Sequence, residues 1–127
     1  MADIFPRLKG MIVRLLCPIF FRNIGPGVKF YGRIRFPFAF RNVDIGANCV
    51  IGDSVFFQTG KNSFIRVGGG SSINTGCHLV ASESISIGCN VAIAEYVSIR
   101  DQEHRFDMEN GVAGTGYNVA PIVIESN

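Results

Sequence analysis

A chain of 127 residues that is 47% hydrophobic and only 17% charged has room for one domain, and it predicts some apolar surface turned towards a partner chain. A formal net charge of +2 argues against a strongly electrostatic partner for the chain as a whole, and nothing in it resembles a nucleic-acid-binding arm. Four cysteines, Cys17, Cys49, Cys77 and Cys89, show no C-x-x-C spacing, which favours a reduced cytoplasmic chain with structural thiols over a disulfide framework.

Residues 1–22 form a segment of their own character. Between residues 2 and 22, Ile4, Phe5, Leu8, Ile12, Leu15, Leu16 and Ile19 follow a 3/4 spacing, which predicts a helix with one apolar face ending near Pro18. Arg7, Lys9, Arg14 and Arg22 interrupt the apolar run. The run is shorter than the about 20 residues a bilayer requires, and no small-residue cleavage site follows it. Two roles stand open and are compatible: a cap on the end of the domain that follows, and a basic amphipathic helix resting peripherally on the cytoplasmic face of a membrane.

From Val28 to Phe40 the residues Val28, Phe30, Ile34, Phe36, Phe38 and Phe40 predict short aromatic strands, with Pro37 at an edge or bend. A clear repeat then begins. Ile45-Gly46 and Ile51-Gly52 are six residues apart, as are Ile87-Gly88, Ile93-Ala94 and Ile99-Arg100; Val43, Cys49, Ile85, Val91 and Val97 stand two residues before them, and Val55 continues the companion beat six after Cys49. A period of six fits neither a 3.6-residue helix nor a free strand of period two. It predicts short strands separated by corners and stacked as an all-β solenoid over residues 23–127.

In one such unit the aliphatic residue points inward and Gly or Ala follows where the chain turns. Two residues such as Ala47-Asn48 or Cys89-Asn90 then pass the corner. Ile45, Ile51, Ile87, Ile93 and Ile99 are therefore expected to share one interior, and Cys49 and Cys77 fall at small inward positions. The beat slips before Ile45 and again between Phe57 and Val67, where a coil carries an extra residue or turns its corner differently. Gly68, Gly69 and Gly70 read as a corner, because no Gly-Lys-Ser/Thr and no helical pattern follows them as a phosphate cradle would need.

This pattern resembles the hexapeptide-repeat family, whose members form a left-handed parallel β-helix and are mostly acyltransferases. The resemblance covers roughly Val43 to the C-terminus. It is closest in VSIRDQEHRF, where the beat breaks into a polar stretch through Arg105, Asp107, Glu109 and Asn110. Galactoside and maltose acetyltransferases of that family place a catalytic histidine after such a strand pair, and Asn90 to His104 matches them without a gap. The resemblance implies that His104 is a general base, suited to the task by an ordinary pKa of about 6.5. It implies that Asn74 contacts an acceptor sugar, that acetyl-CoA is the acyl donor, and that the active cleft lies between subunits of a homotrimer.

Asp101, Glu103 and backbone carbonyls are all candidates to orient the imidazole. Where some members carry an acceptor-binding carboxylate this chain has Ser82, with Glu83 adjacent, so acceptor recognition is expected to differ. His78 reads as a surface or inter-coil residue. A zinc carbonic anhydrase shares the solenoid, but its three-histidine site cannot be built from His78 and His104 alone, so no metal is expected. A non-catalytic scaffold or inactive fragment is the other alternative. Ile122 and Ile124 look like the first strand of another coil, and related enzymes continue there with further coils that supply much of the acetyl-CoA groove.

Overall fold

A computed structural model of the chain describes residues 4–16, 21–35, 42–105, 108–109, 111 and 116–127. Helix α1 (Ile4–Leu15) comes first. It is followed by β1 (Asn23–Ile24), β2 (Lys29–Phe30), β3 (Ile34–Arg35), β4 (Val43–Ile45), β5 (Val50–Ile51), β6 (Val55–Thr59), β7 (Phe64–Val67) and β8 (Ser72–Ile73). Then come β9 (His78–Ala81), β10 (Ser84–Ile87), β11 (Ala92–Ile93), β12 (Ser98–Arg100), β13 (Gln102–His104), β14 (Tyr117–Val119) and β15 (Ile122–Ile124).

Successive strands move from one face to the next, so the chain winds around a three-sided column. Face A stacks β1, β4, β7, β10 and β15; face B stacks β2, β5, β8 and β11; face C stacks β3, β6, β9 and β12. The ladders on all three faces are parallel. This is the parallel β-solenoid that the six-residue period predicts.

The register explains the period. Ile45, Val67, Ile87 and Ile124 are stacked in one column, Phe30, Ile51, Ile73 and Ile93 in a second, and Phe57, Leu79 and Ile99 in a third. Ile45, Ile51, Ile87 and Ile93 are buried and Ile99 packs against them, so the five isoleucines do share one interior. Near the first coil the column is filled by aromatic rings, with Phe21 lying 5.9 Å from Phe30 and 6.0 Å from Phe57 between centroids.

Small polar side chains close the corners. Cys49 Sγ donates to the Gly68 carbonyl at 3.1 Å, Ser71 Oγ to Gly88 at 2.7 Å and Cys77 Sγ to Ala94 at 2.9 Å, each reaching the coil above. Cys49, Cys77 and Cys89 are free thiols, and Cys17 lies outside the described residues. Burial pushes the Cys49 thiol up, which keeps it protonated and inert. The Gly68-Gly69-Gly70 run is a corner. Gly70 has φ +73, and a Cβ there would overlap the Oδ1 of Asn90, which occupies the equivalent left-handed position one coil above.

The slips in the repeat all fall at one corner. From face A to B the inward residues are six apart in every coil (Ile24 to Phe30, Ile45 to Ile51, Val67 to Ile73, Ile87 to Ile93), and from B to C they are again six apart (Ile51 to Phe57, Ile73 to Leu79, Ile93 to Ile99). From C back to A the step is 10 residues from Phe57 to Val67, 8 from Leu79 to Ile87 and 25 from Ile99 to Ile124. The extra residues therefore leave two edges regular and accumulate on the third.

Helix α1 is described over Ile4–Leu15, and Phe21 and Arg22 already belong to the first coil. The Arg22 amide donates to the Val43 carbonyl at 3.0 Å, and its guanidinium pairs with Asp44. The expected stop near Pro18 and the aromatic positions Phe36, Pro37, Phe38 and Phe40 lie outside the described residues. The helix packs on the first coil through Pro6 and Gly10, which are buried, and through the half-buried Val13. Lys9 Nζ donates to the Gly32 carbonyl. No helix among the described residues is long and apolar enough to cross a membrane.

Candidate functional site

The 25-residue step from face C to face A is where the chain leaves the column. Asp101 is the pivot. It follows Ile99 at the inward spacing of two, stacking above Ala81 and Thr59, and is 5% exposed. Its carboxylate accepts hydrogen bonds from the Ser82 amide at 2.7 Å and the Glu83 amide at 2.6 Å. The corner of the coil below is thereby tied to the corner above. Ser82 Oγ adds a 2.6 Å hydrogen bond to Gln102 Oε1.

Beyond Asp101, strand β13 pairs antiparallel with β14, matching Gln102 with Val119, Glu103 with Asn118 and His104 with Tyr117. The Ala120 amide closes the base of this hairpin by donating to the Asp101 carbonyl at 3.1 Å. Strand β15 then returns to face A, above β10.

Directly opposed residues share a side of the hairpin and successive residues alternate. One side therefore carries Gln102, His104, Tyr117 and Val119, and the other carries Glu103, Arg105 and Asn118. The contacts follow this alternation. The His104 and Tyr117 rings are 4.5 Å apart between centroids at 41°, and Arg105 Nε donates to Asn118 Oδ1 at 3.1 Å. His104 is exposed. A cavity of about 300 Å³ lies at the hairpin base, lined by Arg100, Asp101, Gln102, Glu103, Asn118 and Ile122 among others but not by His104 or Tyr117.

Of the residues that sequence reasoning singles out, Ser82, Glu83 and Asp101 meet at this corner, and Glu103 and His104 follow along β13. Neither carboxylate candidate holds the imidazole within the chain: Asp101 is engaged by Ser82 and Glu83, and Glu103 projects from the opposite side of β13. The ring packs instead on that of Tyr117. The structure places Tyr117 and Asn118 in a strand, while 112–115 lie outside the described residues, as do Asp107 and Asn110.

Asn74 stands apart, at the corner between faces B and C. Its Nδ2 donates to the Ile93 carbonyl at 2.7 Å, so the amide stitches two coils together. Within one chain it lies at one edge of face C and His104 beyond the other. His78 is half-buried on the outside of face C, its ring stacked on Phe56 of the coil below at 4.9 Å. Among the described residues no three His, Cys, Asp or Glu side chains converge as metal ligands would.

No family model, curated protein or solved structure matches this chain.

Proposed function

We propose that the chain is an O-acyltransferase of the hexapeptide type, moving an acetyl group from acetyl-CoA to a hydroxyl of a sugar or polysaccharide precursor, with His104 as general base. The observation that carries this reading is the hairpin. Among the described residues the longest departure from the solenoid's pattern is this excursion, and it presents an exposed imidazole packed against an aromatic ring, one residue beyond Glu103 of the cavity lining.

Each part has a task in that chemistry. His104 takes the proton of the acceptor hydroxyl as the oxygen attacks the thioester carbonyl carbon. The resulting tetrahedral oxyanion collapses with cleavage of the C–S bond, and the proton held by the imidazolium passes to the departing sulfur, releasing the thiol. Tyr117 packs against the ring and narrows the orientations open to it, which lowers the entropic part of the barrier. The cavity is at the small end of the range for small-molecule sites.

Because Asn74 and His104 flank face C from opposite edges, a neighbouring copy set edge to edge would bring its Asn74 to this His104. A homotrimer with clefts between subunits does this three times. The free thiols Cys49, Cys77 and Cys89 are in keeping with a reducing cytoplasm.

The test is thiol release from acetyl-CoA in the presence of sugar acceptors. His104→Ala is expected to lower the rate about a hundredfold or more with an unchanged circular dichroism spectrum. Tyr117→Phe, which keeps the ring, retains most of the rate. Equal rates for His104→Ala and the parent chain, or no release with any acceptor, would leave a structural solenoid in place of an enzyme.

A further inference from the structure

The geometry points to a second functional surface, remote from the hairpin: the outward face of α1 is a docking surface for a membrane rich in anionic lipid. At 100° per residue, Pro6, Gly10 and Val13 lie together on the side of α1 that packs on the first coil. Ile4, Phe5, Leu8, Met11, Ile12 and Leu15 fall on the opposite side, and Leu16 extends it. All seven are exposed, Phe5 to 80%, Met11 to 65% and Leu15 to 82%. The helix therefore meets its own core through a narrow face of small residues and turns its broad apolar face away. That is the reverse of how a helix serving only as a cap would lie.

Charge decides what covers this face. The helix carries Arg7, Lys9 and Arg14 and no acidic residue. Arg7 and Arg14 fall along one border of the apolar arc and Lys9 near the other. Arg7 and Arg14 also line a groove of about 490 Å³ against the first coils, with Lys29 on its far wall. Among the described residues no carboxylate pairs with Arg7 or Arg14. A second copy docking through the same face would bring cationic borders together, with no carboxylate on the described helix to neutralise them. A lipid surface takes the apolar side chains below its headgroups while anionic phosphates meet the cations at the border and in the groove. At about 18 Å the helix lies in the interface rather than across it.

The chain contains no tryptophan, so Phe5→Trp supplies a single reporter at an exposed position. The expected result with the full chain is a blue shift and co-sedimentation on vesicles of phosphatidylcholine mixed with phosphatidylglycerol, at least about tenfold stronger than on phosphatidylcholine alone. Leu8→Glu with Leu15→Glu abolishes it, and Arg7→Glu with Arg14→Glu removes the preference for the anionic vesicles. Three outcomes overturn the proposal. The parent chain fails to bind mixed vesicles; binding survives Leu8→Glu with Leu15→Glu; or the blue shift appears without vesicles, grows with protein concentration and disappears in that variant, so that another copy covers the face. The comparison of the two vesicle types on the parent chain needs no substituted protein to fold, and none of these readouts depends on acyl transfer.

Discussion

The inward beat of the repeat brings a carboxylate to Asp101, at the level where Thr59 and Ala81 stand in the coils below. The charge is accommodated because two backbone amides from the preceding corner point at it, each at hydrogen-bond distance. Asp101→Ala would leave the Ser82 and Glu83 amides without that acceptor. The expected loss is about 2 kcal/mol, less than for two fully buried donors because Ser82 and Glu83 are exposed to water. Asp101→Asn, which keeps one acceptor oxygen, loses less, and urea denaturation distinguishes the two. Asp101 also shows what was not legible in the sequence. Three positions from His104 it reads as an orienting group, but a residue two beyond an inward isoleucine inherits the inward direction, and that takes the carboxylate away from the ring.

At the scale of elements, α1 and the hairpin teach opposite lessons. The existence of α1 was plain from its 3/4 spacing, but which side packs was not. A helix with a strong apolar stripe is expected to bury it, and here Pro6, Gly10 and Val13 make the contact. Gly10 permits the approach, since a Cβ there would overlap the Val28 carbonyl oxygen. Alanine is the better helix former by up to about 1 kcal/mol, while overpacking against a rigid backbone costs about 1–3 kcal/mol. The second effect wins, so Gly10→Ala is expected to lower the midpoint of chemical denaturation, and an unchanged or raised midpoint would mean that the helix is not seated as described. The hairpin, by contrast, was hidden. Strands of three residues such as β13 and β14 carry too little pattern to separate from loop, so His104 could be placed next to a break in the repeat but not beside Tyr117.

Over the whole molecule, the solenoid was readable because one inward position recurs every six residues across two edges. The slips were visible too, and only the register shows that they share a corner. In a stack where each coil touches its neighbours alone, thiols report on the column coil by coil. Cys89 is exposed, whereas Cys49 and Cys77 are buried at successive levels. Cys89 is expected to alkylate under native conditions, with Cys49 and Cys77 following only as the column opens, and mass spectrometry of the labelled peptides reads the order. Early modification of Cys77 with Cys49 still protected would mean that the upper coils open separately.

Keeping every irregular length on the edge between faces C and A makes that edge a mounting rail. A segment spliced in between Lys61 and Asn62 would hang from the column and leave the inward columns aligned, as the excursion between Arg100 and Ile122 already does. At the other two edges the inward residues keep a step of six wherever they are described, and no coil there shows how a longer segment would be carried.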